Sequence, residues 1–311
     1  MLDNGTILCY NEYYTVYMQA GDENMQDITH AQRATILMEA LPYITKYHNK
    51  IIVIKYGGAA MLNEELKRQV MGDIALLHLV GIRVVLVHGG GPEISEMLGR
   101  VGKEATFIDG LRVTDKETAE VVQMVLAGKI NKGLVALMET FGRHAIGLSG
   151  LDGSMITAEQ MDPALGYVGE ITKIRPEPIF DVLESGYIPV ISTLGCDKEG
   201  NVYNINADTA AARIAAALEA ESLISMSDIP GLLRDVEDDG SLIRRVAAEE
   251  IPALVEQGII SGGMIPKVAC CEEALRGGVR RVFILDGRVE HSILIEVLTD
   301  AGIGTMFSCG K

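Results

Sequence analysis

The chain has 311 residues, 48% of them hydrophobic and 23% charged, with 43 acidic against 27 basic side chains and a net charge of −16. That length fits one large domain or two lobes around an ample core. The acidic balance argues against a nucleic-acid partner. No apolar run reaches the ~18 residues of a membrane span, and the N-terminus lacks a secretory pattern.

A negative global charge still permits an anionic ligand where local basic residues dominate. The five cysteines, Cys9, Cys196, Cys270, Cys271 and Cys309, form no C-x-x-C pair and are odd in number. They read as reduced thiols of a cytoplasmic protein, neither a disulfide framework nor a metal site.

In chain order, residues 1–24 carry no informative pattern. Residues 26–48 predict a helix, with Ala31, Ala34, Leu37, Leu41 and Ile44 at helical spacing and a kink at Pro42. By itself such a stripe is expected to pack on the chain's own core.

From residue 50 strands and helices alternate. A strand over 50–56 ends in glycines, a helical pattern fills 63–80, and "RVVLVHGGG" is the next strand, followed by a helix over 93–100. Residues 105–114 predict a hairpin around Asp109-Gly110. A helical stretch at 115–141 is expected to break at Gly128 and Gly133. Short strands between 145 and 173 suggest an antiparallel insertion. After "YIPVIST" come an alanine-rich helix over 208–220, the strand "SLISMS", helices over 248–257 and 265–276, the strand "RRVFILD" and a helix over 290–301. Such alternation predicts an α/β fold: an open, mostly parallel central sheet with helices on both faces.

Three consecutive glycines, Gly89, Gly90 and Gly91, follow a strand and precede a helix. A dinucleotide-binding turn is the obvious reading, but Ile94 stands where the third glycine is needed for close helix–strand packing. The device recurs, however. Gly57-Gly58 follows the first strand, and Gly262-Gly263 opens the helix near Ile265. Helix N-termini present unpaired N–H groups and a positive dipole end to an anion. Lys55 and Lys267 lie beside two of these turns, and lysine can screen phosphate oxygens during transfer. Gly277-Gly278, in contrast, reads as a plain helix C-cap.

In "NINAD", Asn206 or Asp208 could serve as an N-cap. Alternatively Asp208 orients the two lysines, and Asn204 bonds the acceptor. Arg112 offers a planar fork for a carboxylate. His88, at a strand end, reads more readily as a hydrogen-bonded framework residue than as a base.

"IKYGGAAM", "VVLVHGGGPEI", "FIDGLRVT", "NINADTAA" and "GGMIPK", in this order, closely resemble the N-acetylglutamate kinase branch of the amino acid kinase family, across residues 35–307. The resemblance implies transfer of the ATP γ-phosphoryl to the γ-carboxylate of N-acetyl-L-glutamate, in the second step of arginine synthesis. It makes Lys55 and Lys267 transition-state stabilisers and Asp208 their organiser. It assigns Gly57, Gly58, Gly262 and Gly263 to phosphate through backbone N–H groups, and Gly90, Gly91, Arg112 and Asn204 to the substrate. Asp228, Gly231, Leu232, Leu233, Ile259 and Ser261 fall in stretches resembling the nucleotide site. A carboxylate is already nucleophilic at neutral pH, so no general base is required. Mg²⁺ would travel with ATP, without a protein cage.

The resemblance extends to both ends. The N-terminal helix looks like that of arginine-inhibited hexamers, trimers of dimers interlaced through it. Residues 288–307 resemble part of their L-arginine site, with His291 and Glu296 as candidates. The implied organisation is a tail at 1–25, an oligomerisation helix at 26–48, an acetylglutamate-binding and dimerisation lobe at 49–217, and an ATP lobe at 218–311.

Overall fold

The structure is a computed structural model that describes residues 29–310. The tail at 1–25, the first residues of the N-terminal helix pattern and Cys9 lie outside the described residues. The strands in chain order are β1 (Ile51–Tyr56), β2 (Arg83–His88), β3 (Phe107–Ile108), β4 (Leu111–Arg112), β5 (Ala145–Ser149), β6 (Ile156–Gln160), β7 (Gly169–Ile174), β8 (Ile188–Ser192), β9 (Leu194–Cys196), β10 (Val202–Asn204), β11 (Ser222–Ser227), β12 (Arg245–Ala247), β13 (Arg281–Asp286) and β14 (Thr305–Ser308). The helices are α1 (His30–Tyr47), α2 (Glu64–Leu79), α3 (Gly91–Arg100), α4 (Lys116–Gln123), α5 (Asn131–Thr140), α6 (Glu177–Glu184), α7 (Ala207–Ala217), α8 (Ile251–Glu256), α9 (Met264–Arg276) and α10 (Ser292–Leu298).

Eight strands form one sheet in the order β12-β14-β13-β11-β1-β2-β8-β5. Neighbours from β13 to β5 are all parallel, and β14 joins β13 antiparallel. Parallel strands covered on both faces become continuous apolar runs, as in β1 and β2. Alternation within each strand then sends successive side chains to opposite faces. Ile52, Ile54, Tyr56, Val84 and Leu86 pack with α2, α5 and α10. Val53, Val85, Val87, Leu223 and Ile284 pack with α6, α7 and α9. The expected three-layer architecture is present.

Asp109 (φ 50°) and Gly110 (φ 80°) turn the β3–β4 hairpin as expected. Helix 116–140 does not break at Gly128 and Gly133. It runs on through a π-helical turn, Met124–Ile130, which absorbs an extra residue without interrupting the helix. This helix is long and apolar enough to cross a membrane by length and composition, at a mean hydropathy of 1.4. Its apolar stripe, Val121, Val122, Val125, Leu126, Leu134 and Met138, is nevertheless part of the core.

The antiparallel insertion is real but smaller than expected. β6, β7, β9 and β10 form a separate sheet, while β5 is a parallel edge strand of the main one. The helix expected over 290–301 shortens to Ser292–Leu298, because the chain must turn back to place β14 beside β13. Strands β12 and β14, only three and four residues long, carry no periodic signal and were not expected.

Helix α1 starts with a capping box between Thr29 and Gln32 and continues through Pro42. The expectation that its stripe packs on the chain's own core fails. Of the stripe, Ala31, Ala34, Leu37 and Leu41 are exposed, Leu37 at 74%, and Ile44 is half-buried; Ile36 and Met38 beside it are exposed too. Among its residues only Tyr47 is buried, beside Arg281, so α1 is anchored at its C-terminal end.

Candidate active site

The ends of β1, β2, β8 and β11 lie side by side because these strands are parallel and in register. Sites in open α/β sheets form outside such carboxyl ends, where the connections leave in opposite directions. Here β1 is central: β2 lies on one side of it and β11, far later in sequence, on the other.

Strand parity places Lys55 on the same face as Val53, toward α7 and α9. Ser225 stands opposite it on β11. The alanines of α7 let it lie close on this face and against α9: Ala210, Ala211, Ala212 and Ala215 are all buried, and a Cβ on Gly277 would stand 2.5 Å from Ala216. That close approach joins three charges from distant parts of the chain. Lys55 Nζ lies 3.1 Å from Asp208 Oδ1, and Lys267 Nζ lies 3.6 Å from Asp208 Oδ2. Both lysines therefore face one carboxylate in one small cavity, lined also by Ser225 and Cys270.

Asn206, not Asp208, caps α7, accepting from the Asp208 and Thr209 N–H groups. The Asp208 carboxylate is thereby free to serve the lysines. Burial pushes its pKa up, but Lys55, Lys267 and the hydroxyl of Ser225 outweigh that and hold it below the usual carboxylate range. It stays ionised. Sequence reasoning missed Ser225, although its signal existed in the parity of "SLISMS". Lys55 Nζ also folds back over Gly57, where a Cβ would stand 3.3 Å from the ammonium. Gly58, at φ 74°, opens a single 3-10 turn, Gly58–Met61, rather than an α-helix, so this turn lacks the helix dipole expected there.

Beside this cluster lies a cavity of about 200 Å³ lined by Gly89, Gly90, Gly91, Phe107, Arg112, Thr193, Asn204 and Asn206. Gly90 is closely covered: a Cβ there would fall 2.2 Å from Ile130 Cδ1 and 2.8 Å from Leu126 Cδ2, so those side-chain ends would have to shift. Gly91 begins α3, where first-turn amides have no intrahelical partner. The hairpin carries Arg112 inward. Its Nη2 donates to Gly91 O and Ser95 Oγ, both at 2.8 Å, and the guanidinium lies over the Phe107 ring. Its Nη1 is buried with no partner. A buried guanidinium with an unfilled donor is a seat for an anion. Asn204 Nδ2 lies 3.5 Å from Thr114 Oγ1 at the cavity wall.

The nucleotide candidates divide. Gly262 (φ 51°) and Gly263 precede α9, whose first turn bears Lys267. Ser261 and Asp228 are exposed and Ile259 and Leu233 half-buried, so contact remains open to them. Leu232 is placed differently: its side chain is fully buried, its N–H donates to Thr305 Oγ1 and its carbonyl accepts from Ile243 N–H. Gly231 is buried at φ 140°, with a Cβ position 2.5 Å from Thr305 Oγ1.

His291 and Glu296 sit on opposite parts of α10. His291, its N-cap residue, pairs with the buried Asp73 at 2.6 Å, and Glu296 accepts from the Ile303 and Gly304 amides. Helix α1 packs against α10. Both side chains thus have internal partners.

A mostly parallel α/β sandwich with lysines, glycine turns and a carboxylate gathered at the strand ends defines a class. The chain belongs to the amino acid kinase family, whose profile matches residues 50–286. It is 55% identical to the acetylglutamate kinase of Brachyspira hyodysenteriae over 285 residues, covering 91% of this chain and 99% of that one. It is also 55% identical to the acetylglutamate kinase of Desulfitobacterium hafniense, over 89% and 97% of the two chains. Among solved structures it resembles the N-acetylglutamate synthase of Neisseria gonorrhoeae. The complex with coenzyme A and N-acetyl-glutamate superposes at a TM-score of 0.79 with 28% identity, over 89% of this chain and 64% of that longer one. The complex with coenzyme A and L-arginine superposes at 0.74 with 27% identity, over 89% and 65%.

Proposed function

We infer that this chain is an acetylglutamate kinase, moving the γ-phosphoryl of ATP onto the γ-carboxylate of N-acetyl-L-glutamate in arginine biosynthesis. The observation that carries the chemistry is Asp208 bridging Lys55 and Lys267 beside an anion-ready cavity. A carboxylate oxygen attacks the γ-phosphorus, the bond to the β,γ-bridging oxygen breaks, and ADP leaves with the electron pair. The nucleophile needs no deprotonation, and the barrier comes from bringing two anions into line. Catalysis therefore rests on position and on screening charge.

In this reading Arg112 Nη1 takes the substrate α-carboxylate and Asn204 its neighbouring polar groups. The Gly90 and Gly91 amides meet the reacting end, while Gly57 and Gly58, with the two lysines, hold the moving phosphoryl. Gly262 and Gly263 hold the nucleotide phosphates, and Asp228, Leu233, Ile259 and Ser261 surround the base and ribose. The lobe at 49–217 then serves the acceptor and the lobe at 218–311 serves ATP. Among the described residues no three His, Cys, Asp or Glu side chains converge on a metal position, and Asp208 is already shared by two ammonium groups. The residues present do not fit a protein-held Mg²⁺, so the ion is assigned to the nucleotide.

A cytoplasmic hexamer inhibited by L-arginine completes the proposal. The exposed stripe of α1 favours it, because Leu37 and Leu41 find no cover among the described residues. The α1–α10 contact near Glu296 would be the inhibitor's place.

Trapping the acyl phosphate with hydroxylamine tests the activity. Acetylglutamate should give product far above glutamate, aspartate or carbamate, and a preference for one of those would overturn the assignment. Lys267→Ala should lower kcat by ~10²-fold or more while leaving ATP binding nearly intact. A loss confined to KM would favour a nucleotide-binding sensor.

A further inference from the structure

We propose that His88 and Asn131 form a buried positioning pair that aims the Gly90 amide into the acceptor cavity, with the His88 proton held on Nδ1. The proposal rests on the reading of the Gly89–Gly91 turn as part of the transfer site. Neither side chain is among the residues lining the cavity, and both act through the backbone.

His88 ends β2 and is fully buried; Asn131 succeeds the π-helical turn and is 1% exposed. Asn131 Nδ2 lies 2.9 Å from Val190 O, 3.2 Å from Leu148 O and 3.2 Å from His88 Nε2. Two backbone carbonyls can only accept, so the amide must turn its nitrogen, not its oxygen, toward them. The same nitrogen faces Nε2; its two protons are shared among these three acceptors, and since an amide nitrogen cannot accept, Nε2 meets it without a proton. The ring proton is left on Nδ1, which lies 2.9 Å from Gly89 O and donates to it. Burial lowers the imidazole pKa to about 4, with the Gly89 carbonyl opposing and Lys132 assisting. The ring is therefore neutral at working pH, and one tautomer persists.

A planar trans peptide points its carbonyl and its N–H in opposite directions. Tying the Gly89 carbonyl to the imidazole turns the Gly90 N–H to the opposite edge of the peptide plane, and in this proposal that edge is the one facing the cavity that Gly90 lines. The Gly89 N–H is already bound to Tyr56 O, so the turn is fixed on its strand side as well. From the other direction Ile130 and Leu126 close over Gly90. The π-helical turn connects these contacts. Its extra residue rotates the downstream helix by about 100° relative to a plain α-helix, which sets Asn131 inward while Leu126 and Ile130 still reach Gly90. Asn131 Oδ1 is left buried and unpartnered above Gly147, where a Cβ would stand only 1.9 Å away. Such an orphan is costly, and fixing the amide's orientation gives a reason for its presence.

Two substitutions separate the two ring nitrogens. In His88→Asn the amide nitrogen replaces Nδ1 and still donates to Gly89. In His88→Gln the amide sits where Nε2 was, keeping the Asn131 contact and losing the donor to Gly89. Both shorten the buried network by one bond, so their melting temperatures should fall together. Turnover should not: kcat of His88→Gln should fall on the order of 10-fold or more below that of His88→Asn, with the KM for ATP unchanged in both. Independently of folding in either variant, 15N spectra of the wild-type ring should show Nδ1 protonated and Nε2 bare from pH 5 to 9. Protonated Nε2, or kcat losses that simply track the melting temperatures, would overturn the positioning role. Failure of the underlying transfer reading shows elsewhere, as an unchanged kcat in Lys267→Ala.

Discussion

Arg112 and Asp208 illustrate how much one side chain's partners decide at the residue scale. Arg112 keeps one nitrogen on Gly91 and Ser95 and leaves the other without a partner. A lysine could supply the charge but not both directions at once. Arg112→Lys should raise the KM for acetylglutamate by ~10- to 100-fold, the worth of one charge-assisted hydrogen bond, with a smaller change in kcat; steady-state kinetics check this. The Asp208 carboxyl is held below its ordinary value of 3.8 by the two lysines and Ser225, against burial. A depressed folded-state pKa contributes stability that is complete above the unfolded value and lost as pH falls through the lowered one. Asp208→Asn should therefore remove part of the acid limb of an unfolding profile below pH ~4, and lower kcat as well. An unchanged acid transition would contradict the assigned ionisation.

Elements matter here mainly for how closely they approach. The π-helical turn brings Ile130 Cδ1 close over Gly90. Gly90→Ala should cost about 1–3 kcal/mol by overpacking. Ile130→Val, which deletes that methyl, should recover part of the loss in a double-mutant cycle read by denaturant unfolding. Helices α2 and α10 are tied by Asp73 and His291. The bond to Asp73 raises the His291 pKa, with burial opposing and Glu290 adding in the same direction. A raised folded-state pKa gives stability that is complete below about 6.5 and is lost as pH climbs through the raised value. Amide exchange in α10 should accelerate over that window, and His291→Asn should flatten the response.

At the scale of the whole molecule the exposed stripe of α1 is the surface that the proposed assembly would cover. Removing residues 1–48 would also remove Tyr47, which is 4% exposed and stands beside Arg281. Surface charges are the cleaner probe. Leu37→Glu with Leu41→Glu should reduce the sedimenting species from a hexamer to a dimer, keep turnover, and abolish inhibition by L-arginine. An assembly of unchanged size would remove α1 from the interface.

Much of this protein is determined locally. Apolar runs ending in glycines, the Asp109-Gly110 turn and the Asn206 cap arise from neighbouring residues, and they placed most strands, the hairpin and the candidate lysines without coordinates. Tertiary structure alone decided what depends on distant partners. It set Ser225 opposite Lys55, withdrew Leu232 into the core, kept helix 116–140 continuous through a π-helical turn, and paired β14 with β13. The physical reason is range: turn and cap energies act within a few residues, whereas ion-pair geometry, orphaned donors and edge-strand pairing exist only once far segments pack.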